Sequence, residues 1–383
     1  MISRVTVIVL CCLACVVACT PTALKPVADP GFIGFENDDV SMQTRAAEQA
    51  KRIDESGFLY SDPELEAYLN AVARKLEPAA VYEQIPFRVK VLRDPMLSAF
   101  ALANGSVYLL TGILASIENE AQLAVLLGHE MTHVTNRHAV RQMRDLKNKT
   151  NVFSALFLAT GGLASVFGPV AQASVMGYTR DMEREADVEG FRLAGLAGYD
   201  TAESLKLFEA LKRQIEEEKI EESYFFGSHP RIMERIESFQ ALISAKTMTG
   251  PSRITNAESF QQHVKKLLLD NTRLQMQTGR YEWSASALQS YIERYPNEAV
   301  AWFLLGEANR QQGGDYVKKA EEAYQKALSL DESHADAHKM LGIILMKAGN
   351  MTTAREHLER YLAINAAASD RAYIEGYIKE CEK

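Results

Sequence analysis

The sequence predicts two domains: a mostly helical α+β domain with a small sheet over residues 36–248, and an all-α repeat solenoid over residues 265–383. In the first, helical spacing of apolar residues alternates with short extended segments, whereas from about residue 267 one helical pattern recurs. The chain has 383 residues, 47% of them hydrophobic, which is enough for more than one core. Residues 249–264 are the predicted linker.

Residues 1–18 are predicted to be a targeting signal rather than part of the fold. Arg4 is their only charge, and the stretch is too short to span a bilayer. Small residues precede Cys19, as in a bacterial lipoprotein signal, so Cys19 is the expected lipidation site and residues 19–35 a tether. An ordinary signal peptide is the alternative. Because Thr20 stands where an inner-membrane retention signal has aspartate, we expect outer-membrane anchoring on the periplasmic side.

The composition excludes a nucleic-acid surface and an internal disulfide. The net charge is −8, and no segment carries the basic stripe that phosphate binding needs. Four of the five cysteines lie at or before Cys19, which leaves only Cys381 in the mature fold.

The α+β domain is predicted to begin with two helices and a small sheet. Helical spacing covers residues 38–53 and 62–76, and the second segment opens on an Asp-Pro cap signal. Residues 87–92 alternate as a strand, and residues 99–110 form two extended segments around an Asn-Gly turn.

The next helical segment carries a metal-binding motif, His129-Glu130-Met131-Thr132-His133. Residues i and i+4 share one helix face, so both imidazoles can reach one metal ion, while Glu130 can take a proton from a water there. Zinc-dependent peptide hydrolysis requires this arrangement. The alternative is a buried helix whose histidines bond to the backbone or to carboxylates.

Glu183 and Asp187, again i and i+4 in a helical segment, are the predicted partners of this motif. Catalytic zinc takes three protein ligands and a water, so Glu183 is the expected third ligand to one Zn²⁺ per chain. Asp187 can then accept a hydrogen bond from the free ring nitrogen of a zinc histidine, while Glu185 points elsewhere. The alternative is a solvated helix face whose carboxylates form salt bridges.

The sheet beside the motif is predicted to supply the substrate-binding strand. An edge strand can pair with an extended peptide backbone and so bind it with little demand on sequence. The residues expected to do so are Ala101, Leu102, Ala103, Asn104 and Gly105.

Together these motifs resemble the zinc peptidase family of HtpX and the CAAX prenyl protease, and more narrowly the periplasmic beta-barrel assembly-enhancing proteases with C-terminal tetratricopeptide repeats. Residues 94–105 resemble the strand before the active helix, and His138 recurs in family members. Residues 228–230 and 235–236 resemble the loop and helix that close the catalytic domain. The resemblance covers roughly residues 36–383.

The resemblance implies a zincin-like fold and a peptidase whose substrates are misfolded or misassembled envelope proteins. It also implies that the repeats can bind the outer-membrane barrel assembly machinery. It also implies that a histidine at the position of His229 can occupy the fourth zinc site and hold the enzyme latent. A neutral imidazole that displaces the catalytic water has this effect. A cap or loop contact beside Pro230 is an equally weighted role for His229.

Residues 152–178 contain no charge and are long enough for a membrane span. Gly161-Gly162 and Gly168-Pro169 divide them into two short halves, which favours a helical hairpin over the active-site cleft. Both possibilities stay open.

The repeat solenoid is predicted to contain about three tetratricopeptide units and a capping helix over residues 373–383. Gly306 and Gly342 occupy equivalent positions 36 residues apart in the two clearest units. A chaperone or assembly scaffold with a latent zinc site is therefore the alternative to a peptidase. The complete ligand set with Glu130 argues against that alternative, because a structural zinc needs no general base.

Overall fold

The computed structural model describes residues 24–148, 178–218, 232–245 and 253–382. The predicted signal, the lipidation site Cys19, the proposed latency residue His229 and all but the last residue of the segment 152–178 lie outside these ranges. They stay predictions. No helix within the described ranges is long and apolar enough to cross a membrane.

The described chain forms a helical domain around a small sheet, followed by a series of helical hairpins, as the predicted fold class requires. The elements of the first domain are α1 Asn37–Asp54, α2 Pro63–Leu76, α3 Ala79–Gln84, β1 Arg88–Leu92, β2 Ala99–Ala101, β3 Ser106–Leu110, α4 Thr111–Ser116, α5 Glu120–Thr135, α6 His138–Asn148, α7 Arg180–Leu196, α8 Glu203–Glu218 and α9 Ile232–Ser244. The elements of the hairpin series are α10 Ala257–Gln277, α11 Tyr281–Arg294, α12 Ala299–Gln312, α13 Tyr316–Leu330, α14 Ala335–Lys347, α15 Met351–Ile364 and α16 Arg371–Glu380.

The sheet has the strand order β1-β3-β2, with β1 parallel and β2 antiparallel to β3. Strand β3 is buried on both faces because Val107 and Leu109 face the main core while Tyr108 packs against α1. The predicted hairpin is confirmed, and β2 lies at the sheet edge. Strand β2 nevertheless ends at Ala101, because the chain then turns through Gly105 at φ +86°. Only Ala101 of the predicted substrate-binding strip therefore lies in the strand.

Helix α5 lies at the centre of the first domain, and all of its residues are buried. Its N-terminal residue Glu120 accepts hydrogen bonds from Tyr68 (2.6 Å), Tyr199 (2.5 Å), Lys75 (3.1 Å) and Asn256 (3.0 Å). Burial opposes the charge of Glu120, but these hydrogen bonds outweigh that effect and lower its pKa. The carboxylate thus connects the start of α5 to three separate parts of the chain, namely α2, the segment after α7 and the start of α10.

The opposite end of α5 is held by the N-terminal segment. The Val27 amide donates to the Thr135 carbonyl (2.8 Å). Arg137, which follows the helix, is buried and forms an ion pair with Asp39 in α1. Both ends of the central helix are therefore fixed by polar contacts to distant parts of the sequence.

The hairpin series contains three helix pairs and a final helix, which is the arrangement expected of three repeats and a capping helix. Gly306 permits close packing within the middle pair, since a Cβ there would lie 2.4 Å from the Tyr324 ring. The predicted linker differs from the structure, because α10 already begins at Ala257 within it. Phe260 and Val264 are fully buried in the core of the first domain, and this tertiary packing extends the helix into the expected linker.

We expect Glu120→Gln to lower the free energy of unfolding by about 2 kcal/mol at pH 7, because four donors lose a charged acceptor. The folded pKa of Glu120 lies below its unfolded value, so its contribution is present above about pH 4.5 and is lost as the pH falls further. Urea unfolding at pH 7 and at acid pH measures both effects.

Glu64→Gln is the matched control, because Glu64 is an exposed carboxylate in the first turn of α2. A Glu120→Gln effect that stays constant between neutral and acid pH would contradict the assigned role of its charge.

Candidate active site

His129, His133 and Glu183 are buried, and each directs a ligand atom into one small space. The His129 Nε2 and His133 Nε2 atoms are 3.0 Å apart. Glu183 Oε2 lies 3.6 Å from His129 Nε2, and Glu183 Oε1 lies 3.7 Å from His133 Nε2. The structure therefore brings together the three predicted ligands from α5 and α7.

These separations fit a tetrahedral zinc ion. With zinc–ligand bonds of about 2.0–2.1 Å, two ligand atoms of a tetrahedral site are separated by about 3.4 Å. The three observed distances lie on either side of that value. Two imidazoles and one carboxylate form the donor set of a catalytic zinc site, in which a water takes the fourth position.

Two glycines allow α5 and α7 to approach closely enough for this geometry. A Cβ on Gly190 would lie 2.6 Å from the His129 backbone nitrogen, and one on Gly128 would lie 3.0 Å from the Gly190 backbone. Side chains at this crossing would separate the helices and move Glu183 away from the histidines. The glycine pair is thus a requirement of the ligand geometry.

Asp187, the predicted hydrogen-bond partner of a motif histidine, lies against the ring of His129. The distance from His129 Nδ1 to Asp187 Oδ1 is 2.9 Å, and because a carboxylate can only accept, a hydrogen bond between them requires the proton on Nδ1, which leaves the Nε2 lone pair for a metal. Arg235 in α9 donates to the same carboxylate from Nε (3.0 Å) and Nη2 (2.6 Å). Its guanidinium also lies over the Phe208 ring at 4.2 Å.

Tyr178 stacks on the second histidine of the motif. Its ring lies 4.0 Å from that of His133, at an interplanar angle of 14°. Burial, followed by the charges of Glu130 and Glu183, raises the pKa of the Tyr178 hydroxyl. The tyrosine therefore stays protonated and restrains the His133 ring.

A second set of polar residues lies behind His133. His133 Nδ1 is 2.8 Å from His138 Nδ1, and His138 Nε2 is 3.1 Å from Glu185 Oε2. The hydrogen bond from His138, together with Arg141, lowers the pKa of Glu185 to about 2. Burial lowers the pKa of His138, which keeps its ring neutral. Glu185 does not contribute to the metal-ligand cluster, in agreement with its predicted position, but it is part of this network.

Sequence reasoning assigned no function to Arg235, Tyr178 or Arg141. Arg235 lies 106 positions after His129, and nothing local to it indicates a contact with a zinc ligand. Tyr178 directly precedes Thr179, the N-cap of α7. Its place at the start of the helix that carries Glu183 was the sequence signal that could have indicated a position near the metal site. Arg141 lies one turn after His138 on α6, but its partner on α7 could not be inferred from spacing alone.

The predicted substrate strip lies partly beside the metal ligands. Ala101 and Ala103 line a small open cavity together with His133, Val134 and Tyr178. Because β2 is an edge strand, the position of Ala101 is compatible with an extended peptide next to the metal site. Binding by this strip stays a prediction.

Residues 62–243 match the family model described as peptidase family M48, which includes every metal ligand described above. They form a peptidase family M48 domain. Residues 269–318 and 314–370 match the tetratricopeptide repeat model, which confirms the repeat assignment. The M48 domain is thus followed by tetratricopeptide repeats in one chain.

Several curated proteins are similar to this chain. The beta-barrel assembly-enhancing protease of Escherichia coli (strain K12) is 29% identical over 156 residues, which are 38% of this chain and 32% of that protein. The putative beta-barrel assembly-enhancing protease of Vibrio cholerae is 30% identical over 37% of this chain and 31% of that protein. The mitochondrial metalloendopeptidase OMA1 of Schizosaccharomyces pombe is 26% identical over 45% of this chain and 51% of that protein.

The match thus spans about a third of the length of the two bacterial relatives. Among solved structures, the crystal structure of MamA protein aligns at 24% identity over 33% of this chain and 76% of that chain, with a TM-score of 0.27.

We expect Gly190→Ala to weaken zinc binding by at least about tenfold, because its Cβ would lie 2.6 Å from the His129 backbone nitrogen and displace Glu183. The same variant should lower the melting temperature. Competition with a zinc chelator and thermal unfolding measure the two effects.

Gly376→Ala is the matched control, because a Cβ at this helical position in α16 meets no atom within 4 Å. There the substitution should slightly raise stability and leave zinc binding unchanged. Zinc binding by Gly190→Ala equal to that of the parent would show that the close approach is dispensable.

Proposed function

We propose that this chain is a zinc-dependent endopeptidase of the bacterial envelope that hydrolyses misfolded or misassembled proteins. The observation that carries the proposal is the convergence of His129, His133 and Glu183 at distances suited to one zinc ion, with Glu130 on the same helix. The match of this region to peptidase family M48 supports the reaction class. The names of the bacterial relatives support the envelope as the site of action.

The geometry supports a distinct role for each of these residues. His129 and His133 would hold zinc through their Nε2 atoms, and Glu183 would hold it through a carboxylate oxygen. A zinc ion at this place would supply a water of lowered pKa and an electrophile for the scissile carbonyl. Glu130, adjacent to His129, accepts a proton from the attacking water and delivers it to the amide nitrogen as the C–N bond breaks. All four side chains are buried, and this low-dielectric environment strengthens each electrostatic contact.

The finer parts of the proposal concern location and recruitment. Lipidation of Cys19 would anchor the chain at the periplasmic face of the outer membrane. The repeats would recruit clients or the outer-membrane barrel assembly machinery, since repeat solenoids present extended binding surfaces. The edge strand that contains Ala101 would hold an extended client beside the metal.

The Glu130→Gln variant tests the reaction. We expect kcat for cleavage of a labelled unfolded protein to fall by about 10²–10⁴-fold, because the general base is lost, while zinc content stays equal to that of the parent. Exposed Glu118, just before α5, supplies the control Glu118→Gln, which should cleave normally. If parent and Glu130→Gln are equally inactive and both suppress client aggregation, the chain is a scaffold and the proposal fails.

The Glu183→Ala variant tests the third ligand. Its zinc affinity should fall by at least about 100-fold, because the site loses its only anionic donor among the three ligands. Asp181→Asn, an exposed position in the first turn of α7, is the control and should bind zinc like the parent. Metal analysis after dialysis against a weak chelator gives the comparison, and undiminished zinc in Glu183→Ala would remove this residue from the ligand set.

A further inference from the structure

The two zinc histidines are supported in different ways. His129 reaches a carboxylate directly, with Nδ1 2.9 Å from Asp187 Oδ1. His133 instead reaches His138 at 2.8 Å, and a carboxylate, Glu185, only through that second ring. Support of His133 therefore depends on a neutral imidazole rather than on an adjacent charge.

Only one arrangement of protons satisfies this series of rings. If His133 Nε2 is to bind a metal, His133 Nδ1 must carry the ring proton and donate it. His138 Nδ1 must then accept, which places the proton of His138 on Nε2, directed at Glu185 Oε2. Glu185 stays an acceptor because Arg141 donates to both of its oxygens, at 2.5 and 3.0 Å.

The backbone before His138 also indicates a specific role for this ring. Helix α5 ends at Thr135, and the chain reverses through Arg137 at φ +58°, a region that non-glycine residues rarely occupy. The buried ion pair of Arg137 with Asp39 holds this turn in place. The reversal starts α6 at His138 and brings its fully buried ring onto His133.

We propose that His138, held by Glu185 and Arg141, is a positioning residue that fixes the tautomer and ring orientation of His133 and thereby sets the affinity of the site for zinc. This inference rests on the proposed metal site. It concerns residues outside the proposed ligand set, and it assigns His138, Glu185 and Arg141 one shared role. Such outer contacts typically contribute 10- to 100-fold in metal affinity.

The test compares two replacements of His138. His138→Phe keeps a flat ring but removes the acceptor, so we expect the zinc dissociation constant, measured by chelator competition, to rise by about 10- to 100-fold. His138→Asn offers an amide oxygen to the His133 Nδ1 proton and should recover most of that loss. KM for a labelled unfolded protein should stay unchanged in both variants at saturating zinc, because neither alters the substrate strip.

Glu185→Ala should raise the zinc dissociation constant by about tenfold, since the His138 ring loses its acceptor. Its matched control is Glu189→Ala, which removes another carboxylate that pairs with an arginine on α7 without contact to the zinc ligands. Thermal unfolding of the metal-free variants distinguishes loss of the fold from loss of affinity. The expected result is weaker zinc binding with an unchanged metal-free melting temperature.

Zinc affinity of His138→Phe equal to that of the parent would overturn the inference and leave the proposed peptidase intact. Equal losses in His138→Phe and His138→Asn, with matching falls in the metal-free melting temperature, would reduce His138 to a packing residue and also overturn it. If the parent chain binds no zinc, the proposed metal site itself fails, and this inference fails with it.

Discussion

The close approach of α5 and α7 is the constraint on which the rest of the structure depends. Gly128 and Gly190 let the two backbones meet where a side chain would not fit, and this sets the distance between the histidines and Glu183. Every residue of α5 is buried, so the helix cannot shift to accommodate a larger residue. Its two ends are fixed as well, by the Glu120 hydrogen bonds and by the contacts of Thr135 and Arg137.

The polar side chains around the candidate site are buried, and a buried polar group is stable only when it has a hydrogen-bond or ion-pair partner. The carboxylate of Asp187 is shared between His129 and Arg235, and Glu185 is shared between His138 and Arg141. Both carboxylates thus have a cationic partner on a neighbouring helix. The rings of His129 and His133 are consequently held in place by neighbouring side chains, which would reduce the reorganisation that metal binding requires.

Local spacing predicted the parts of the site that lie one helical turn apart. His129 and His133 form one such pair, and Glu183 and Asp187 the other. Arg235 could not be found in this way, since its contact with Asp187 spans 48 positions and depends on how α9 packs. The start of α10 was placed too late for the same reason, because Phe260 is buried by the first domain rather than by its own hairpin. Strand β2 was predicted too long, because the turn through Gly105 ends the strand at Ala101.

If Cys19 carries the proposed lipid, the attachment of Val27 to the end of α5 would limit how far the metal site can move from a membrane. Its amide donates to the Thr135 carbonyl, so Val27 is attached to the folded domain at this point. Val27 lies eight positions after Cys19, and a fully extended chain of that length reaches only about 28 Å. A lipid on Cys19 would therefore keep the metal centre near the bilayer surface. Proteins that emerge from or stall at that surface would come within reach, and those in the middle of the compartment would not.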